Sequence, residues 1–246
     1  MKKPDDKLQD LVTRLQRACG NNLLSVVVYG SAAREDFHET FSDVNTLILL
    51  QQLPPESFAP LSEVLRWWSR DEKLRPPLVM TLEELRESAD VFAIELLDIK
   101  RSHRTLFGED LVTTVDVPMN LHRVEVEHEL RTTLLRLRHH FLLASDNNDE
   151  LREVLAKSVT SVVTLFRHAL IAVGKEPPYD KAQSVQLAAD TFGVEAVPLR
   201  TILELRSREQ KPGDVRDLYH AYMTAIQKVA YELERSAPKR NLKSTP

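Results

Sequence analysis

The 246-residue chain contains a single cysteine, Cys19, and few aromatic residues, which make up 6% of the sequence. One thiol cannot form an internal disulfide, and no set of cysteines and histidines has the spacing of a zinc site. Disulfide scaffolds and zinc-stabilised folds are therefore excluded. A reducing, cytoplasmic environment is expected.

Long apolar runs are also lacking. Stretches such as Leu23–Tyr29 and Leu47–Leu50 are far shorter than the roughly 20 residues that span a bilayer. Residues 1–10 carry charges with no apolar run behind them, so no signal peptide is expected. These features predict a soluble protein without a membrane partner.

No sign of charge dominates. Charged residues make up 28% of the chain, and the formal net charge is −4. Such a balance gives no general attraction for DNA, RNA or an anionic membrane surface, so nucleic acid is not an expected partner. With 42% hydrophobic residues, the chain is long enough for one large domain or two modest ones.

The first half alternates between strand and helix patterns. Residues 23–29 form a nearly continuous apolar run that stops at Gly30, which is typical of a strand buried on both faces. Residues 100–104 form a basic run, which we interpret as a solvated turn. The other predicted elements are helices over 7–18 and 61–69, a capping box at 81–84 that begins a helix, and strands over 43–50, 76–80 and 92–99.

The second half shows helical periodicity only. Apolar residues recur at spacings of three and four from Leu121 onward, which indicates a helical bundle. Helices are predicted over 125–143, 150–173, 181–192, 197–207 and 214–235. The predicted organisation is a first domain over residues 1–115, a helical domain over 120–240 and a disordered tail over 241–246.

One motif in the first half carries chemistry. The strand ends in Gly30-Ser31, eleven residues follow, and Asp43-Val44-Asn45 then opens the next strand. Glycine lets the backbone approach phosphate oxygens closely, and the Ser31 hydroxyl and amide can donate hydrogen bonds to them. Residues 43 and 45 lie two apart on a strand, so they project from the same face and can share divalent cations that bridge phosphates.

This order of residues resembles the nucleotidyltransferase superfamily, in particular the aminoglycoside and kanamycin nucleotidyltransferases. The resemblance implies an α+β fold, with a mixed sheet and flanking helices followed by an all-α helical bundle that helps to hold the acceptor. The implied activity is transfer of a nucleoside monophosphate from an NTP to an acceptor hydroxyl, with Mg²⁺ or Mn²⁺ as cofactor.

The resemblance also implies roles for individual residues. Glu95 is the candidate for a third acid from a later strand, and Asp98, three residues on, would face the opposite side of that strand. Arg34 could steady phosphate charge, or it is a surface arginine. The implied site comprises Asp43 and Glu95 as catalytic residues, Gly30, Ser31 and Arg34 for the nucleotide, and Asp43, Asn45 and Glu95 for the metal.

Position 45 departs from the superfamily pattern, which has a second carboxylate there. The amide oxygen of Asn45 can still bind a cation but brings no negative charge. Two functions therefore stay open for this site: an active nucleotidyltransferase, or a catalytically degenerate module that binds nucleotide or a protein partner. A third option is a toxin–antitoxin-like unit whose helical half acts on or binds RNA. The acceptor, the base preference and a homodimeric state are open as well.

Overall fold

The computed structural model describes residues 4–33, 44–206 and 214–236. The chain divides into two compact units, Met1–Pro118 and Met119–Pro246. Strands occur in the first unit, and the described part of the second is helical. The predicted tail over 241–246 lies outside the described residues.

The first unit is built on a four-stranded sheet with the strand order β3-β2-β1-β4. Strand β1 is antiparallel to both of its neighbours, and β3 runs parallel to β2. The elements are α1 (Pro4–Cys19), β1 (Leu23–Tyr29), β2 (Asn45–Leu50), α2 (Phe58–Arg66), β3 (Leu78–Thr81), α3 (Leu82–Glu87), α4 (Ala93–Arg101) and β4 (His103–Gly108).

Strand β1 is buried on both faces, as the sequence predicts. On one face, Val26 and Val28 pack in a cluster with apolar residues of α1 and α2. On the other face, Val27 packs in a second cluster with residues of β2, α3 and α4. Side chains alternate along a strand, so a strand covered on both sides needs an apolar residue at nearly every position.

The predicted capping box is confirmed at the start of α3. The Glu84 amide donates to the Thr81 hydroxyl at 3.0 Å, and the Thr81 amide donates to the Glu84 carboxylate at 2.7 Å. Both bonds satisfy amide groups that a helix start leaves without a partner in the helix. The chain therefore turns from β3 directly into a helix.

The prediction of a strand over residues 92–99 is wrong. This segment is helix α4, and its buried residues, Ala93, Ile94, Leu96 and Ile99, follow the three- and four-residue spacing of a helix face. A short apolar run fits both periods, so the sequence alone did not separate them.

The predicted turn over residues 100–104 is also wrong. Residues 103–108 form β4, which pairs with β1 at the edge of the sheet. Its side chains are only partly buried, and it carries His103 and Arg104. Charged residues are usual on edge strands. Because of them, residues 103–108 do not show the apolar pattern by which a strand is predicted.

The second unit packs its helices around α6, which contacts the other four. By length and composition alone, helix α6 is long and apolar enough to cross a membrane. Most of its apolar side chains are buried inside this unit. The helices are α5 (Met119–Ala144), α6 (Asn148–Ala172), α7 (Lys181–Phe192), α8 (Ala196–Arg206) and α9 (Val215–Arg235). Each corresponds to a predicted helix.

The core of this unit contains hydrogen-bonded polar groups. The rings of His122 and His168 are fully buried, and their facing nitrogens lie 2.9 Å apart. The buried Tyr219 hydroxyl donates to the backbone oxygen of Leu137 at 3.0 Å. Burial raises the pKa of Tyr219 to about 12, because the charged phenolate is unfavourable in an apolar core.

Tyr219→Phe removes this donor, and we expect it to lower the free energy of unfolding by about 1 kcal/mol at neutral pH. The native pKa of Tyr219 lies above the usual tyrosine value, so its contribution is complete below about pH 10 and falls as the pH rises toward 12. The difference between the two proteins in urea denaturation should therefore shrink above pH 10. A constant difference up to pH 12 would contradict this account.

Candidate active site

Two parts of the predicted motif, Gly30 and Asn45, lie at the same end of the sheet. Strand β1 is antiparallel to β2 and β4, so the end of β1 lies beside the starts of both neighbours. Tyr29 is accordingly the direct partner of Asn45 on one side and of His103 on the other. We call this end of the sheet, marked by Tyr29, Asn45 and His103, the site edge.

Gly30 turns the chain at the site edge. Its φ of +76° is a left-handed conformation that glycine adopts without steric cost. A Cβ at this position would lie 3.4 Å from the Asn45 amide nitrogen. That distance is ordinary van der Waals contact, so the positive φ is what explains glycine at this position.

Two hydrogen bonds hold the Gly30 turn to the end of α4. The Gly30 amide donates to the Ser102 backbone oxygen at 2.8 Å, and the Ser102 hydroxyl donates to the Gly30 oxygen at 2.9 Å. Ser31 follows in a 3-10 turn, and its side chain is exposed. The turn is therefore fixed, and the Ser31 hydroxyl is accessible to a ligand.

Asn45 is half-buried at the start of β2, and its amide oxygen accepts a hydrogen bond from the Arg75 guanidinium at 3.2 Å. The backbone oxygen of Arg75 in turn accepts from the indole nitrogen of Trp68 at 2.8 Å. Sequence reasoning did not single out Arg75, because an arginine before two prolines has no diagnostic pattern. The structure makes it part of the site edge.

Helix α4 brings acidic side chains to the same region. Burial raises the pKa of the Tyr29 hydroxyl, the charge of Arg75 opposes this shift, and the charges of Glu95 and Asp98 add to it. All three charged groups thus act on the Tyr29 phenol.

Glu95 and Asp98 lie three residues apart on α4, so they project from the same side of the helix. The expectation that they face opposite sides depended on strand alternation, and it is wrong because the segment is a helix.

His103 was not predicted either. Its Nε2 lies 3.1 Å from the Asp110 carboxylate, and its Nδ1 lies 3.0 Å from the backbone oxygen of Ile99. These contacts join the start of β4 to the last turn of α4 and to the segment after β4. They help to fix the junction to which the Gly30 turn is bonded.

Two predicted site residues, Arg34 and Asp43, lie outside the described residues. Within ranges 4–33, 44–206 and 214–236, no group of three or more histidine, cysteine or acidic side chains is arranged to hold a metal ion. The α4 carboxylates are oxygen ligands of the kind that Mg²⁺ takes, and one or two carboxylates are the usual number when phosphates complete the shell. Asn45 would have to share its amide oxygen with the Arg75 guanidinium.

The chain has a nucleotidyltransferase-type fold, in which an α+β unit with a small mixed sheet is followed by a helical unit. Eleven solved chains match this chain. One of them is the crystal structure of spectinomycin adenyltransferase AAD(9) from Enterococcus faecialis, which contains ATP and spectinomycin. The match has a TM-score of 0.57 and 17% sequence identity, and it covers 94% of this chain and 100% of that chain. No protein-family model and no curated protein sequence matches.

We expect Gly30→Ala to lower the free energy of unfolding by about 1 to 2 kcal/mol, because an alanine is strained at a φ of +76°. Gly174→Ala is a matched control, since Gly174 has the same φ of +76° and no atom lies within 4 Å of the place that an alanine Cβ would take. Urea denaturation should give similar losses for both variants. A loss confined to Gly174→Ala would contradict the assigned conformation of the turn.

Proposed function

We propose that the chain is a nucleotidyltransferase that moves a nucleoside monophosphate from an NTP to an acceptor hydroxyl, with Mg²⁺ or Mn²⁺. The observation that carries the proposal is the site edge, where the Gly30 turn lies against Asn45 in a fold of this class and the charges of Glu95 and Asp98 on α4 act on Tyr29. The solved neighbour, an adenyltransferase, contains ATP and spectinomycin, and the proposal likewise requires a nucleotide and a second ligand. A cytoplasmic location is part of the proposal.

The Gly30 turn is the proposed binding site for the β- and γ-phosphates. Its missing Cβ lets phosphate oxygens approach the main chain, and the exposed Ser31 can donate from its hydroxyl and its amide. The hydrogen bonds to Ser102 hold the turn in place before the ligand arrives. Arg34 is a proposed second contact to the phosphates.

In the proposed reaction, the acceptor oxygen forms a bond to the α-phosphorus. The bond from that phosphorus to the bridging oxygen breaks, and pyrophosphate leaves. The acceptor proton passes to a carboxylate, for which Glu95 on α4 is the proposed base. Reactions of this kind are accelerated mainly by positioning and by stabilisation of developing charge.

Asp43 and Glu95 are the proposed ligands of the divalent cation, with Asn45 as a third ligand through its shared amide oxygen. A cation held there supplies positive charge against the phosphates.

A second candidate function is a nucleotide-binding or protein-interaction module without catalysis. The observation that favours it is the contact between Asn45 and Arg75, because a neutral amide held by a guanidinium stands where the superfamily pattern has a carboxylate. This module would bind nucleotide and transfer nothing.

The test is incubation of purified protein with labelled ATP, GTP, CTP and UTP plus Mg²⁺ or Mn²⁺. Spectinomycin, other aminoglycosides, small-molecule extracts and the protein itself serve as acceptors. We expect a labelled adduct that disappears in Asp43→Ala and falls by roughly a hundredfold or more in Glu95→Gln, since a general base typically contributes that much.

Glu87→Gln is the matched control, because Glu87 is an exposed acid at the end of α3. It should leave transfer unchanged. Undiminished transfer by Asp43→Ala would falsify the proposed roles. Nucleotide binding without any adduct would support the non-catalytic module.

A further inference from the structure

The segment that carries Arg75 is fixed by a buried side chain. Trp68 is fully buried and donates its indole N–H to the Arg75 backbone oxygen at 2.8 Å. The Leu74 amide donates to the Trp68 backbone oxygen at 3.2 Å, and the Leu74 side chain is buried as well. Pro76 and Pro77 follow, and proline fixes the backbone φ. The backbone at Arg75 is therefore held in place, and binding a ligand would have to order only the side chain.

The pairing register of β2 and β3 places Arg75 beside the site edge. Strands β2 and β3 are parallel, and Leu47 is the partner of Leu78. The residues just before β3 therefore lie beside the start of β2, where Asn45 begins the strand. The Arg75 side chain is exposed, and within residues 4–33, 44–206 and 214–236 it forms one hydrogen bond, from its Nη1 to the Asn45 amide oxygen. A guanidinium has five N–H donors.

Asparagine at position 45 places no negative charge beside Arg75. A carboxylate at this distance would form an ion pair with the guanidinium and compensate its charge locally, whereas an amide accepts the same hydrogen bond without a charge. The guanidinium also acts on the Tyr29 phenol, beside the Gly30 turn. The site edge thus presents a fixed cation next to the proposed phosphate-binding turn.

We propose that Arg75 binds the polyphosphate of the NTP, and that Asn45 is the residue that holds the guanidinium in place without neutralising it. This inference rests on the proposed function. The planar guanidinium matches phosphate oxygens in a two-point contact. Arg75 then supplies, from the protein, part of the positive charge that a cation held by a second carboxylate would supply.

One consequence distinguishes this arrangement from a site that depends on metal alone. A part of the affinity for polyphosphate comes from the protein and persists without a divalent cation. The contribution should respond to position 75 and position 45, and it should appear with inorganic tripolyphosphate as well as with ATP.

The experiment is calorimetric titration of the full chain with ATP and with tripolyphosphate, in EDTA and in Mg²⁺. In EDTA, we expect Arg75→Gln to weaken binding of both ligands by about tenfold or more, because it loses a charge-assisted contact. Arg75→Lys should lie between Arg75→Gln and the wild type, since lysine keeps the charge but not the fork. Asn45→Asp should weaken binding in EDTA too, because its carboxylate would form an ion pair with Arg75 and bring a negative charge close to the polyphosphate.

Arg86→Gln is the matched control. Arg86 is exposed in the last turn of α3, which follows the opposite end of β3, so its loss should leave both affinities unchanged. Thermal melting verifies that each variant is folded. Arg75→Lys retains the packing of a long cationic side chain if Arg75→Gln does not fold.

Equal affinity of the wild type and Arg75→Gln in EDTA overturns the inference, as does an equal loss in Arg86→Gln. If labelled transfer still occurs in either case, the proposed function survives without this role for Arg75. If the wild type binds ATP neither in EDTA nor in Mg²⁺, the inference and the proposed function fail together.

Discussion

Strand β1 is paired on both sides and buried on both faces, and these two conditions determine the position of the site edge. A strand held in this way cannot shift its register without moving its apolar residues out of two clusters at once. Its last residue, Tyr29, therefore has a fixed position. Backbone pairing with β1 then fixes the starts of β2 and β4, and the Gly30 turn follows directly from Tyr29.

The site edge combines charges of both signs within one small region. Arg75 lies on the side of β2, and the acids Glu95 and Asp98 come from α4. A transfer reaction needs both, because phosphate oxygens require positive charge and a departing proton requires a base. The hydrogen bonds between Gly30 and Ser102 join the Gly30 turn directly to α4, since Ser102 is the residue that ends α4.

Sequence reasoning located the parts of the fold that depend on local patterns. The strand before Gly30, the capping box at Thr81 and the helices of the second unit each follow from residues close together in the chain, and the structure has all of them. The prediction was wrong at α4, because a short apolar run fits both the helical and the strand period. It was also wrong at β4, because this partly buried edge strand has no apolar pattern. Arg75 was missed for another reason: its position depends on Trp68 and on the parallel pairing of β3 with β2, which no local pattern reveals.

The two tryptophans of the chain, Trp67 and Trp68, stand side by side in the first unit, with ring centroids 6.0 Å apart. Trp68 is fully buried, and the Arg14 guanidinium lies 4.1 Å from the centre of the Trp67 ring. Intrinsic indole emission is therefore a spectroscopic label confined to the sheet-bearing half, whereas circular dichroism is dominated by the helices of the other half. Tryptophan fluorescence and circular dichroism, recorded on one sample, can therefore follow the denaturation of the two units separately.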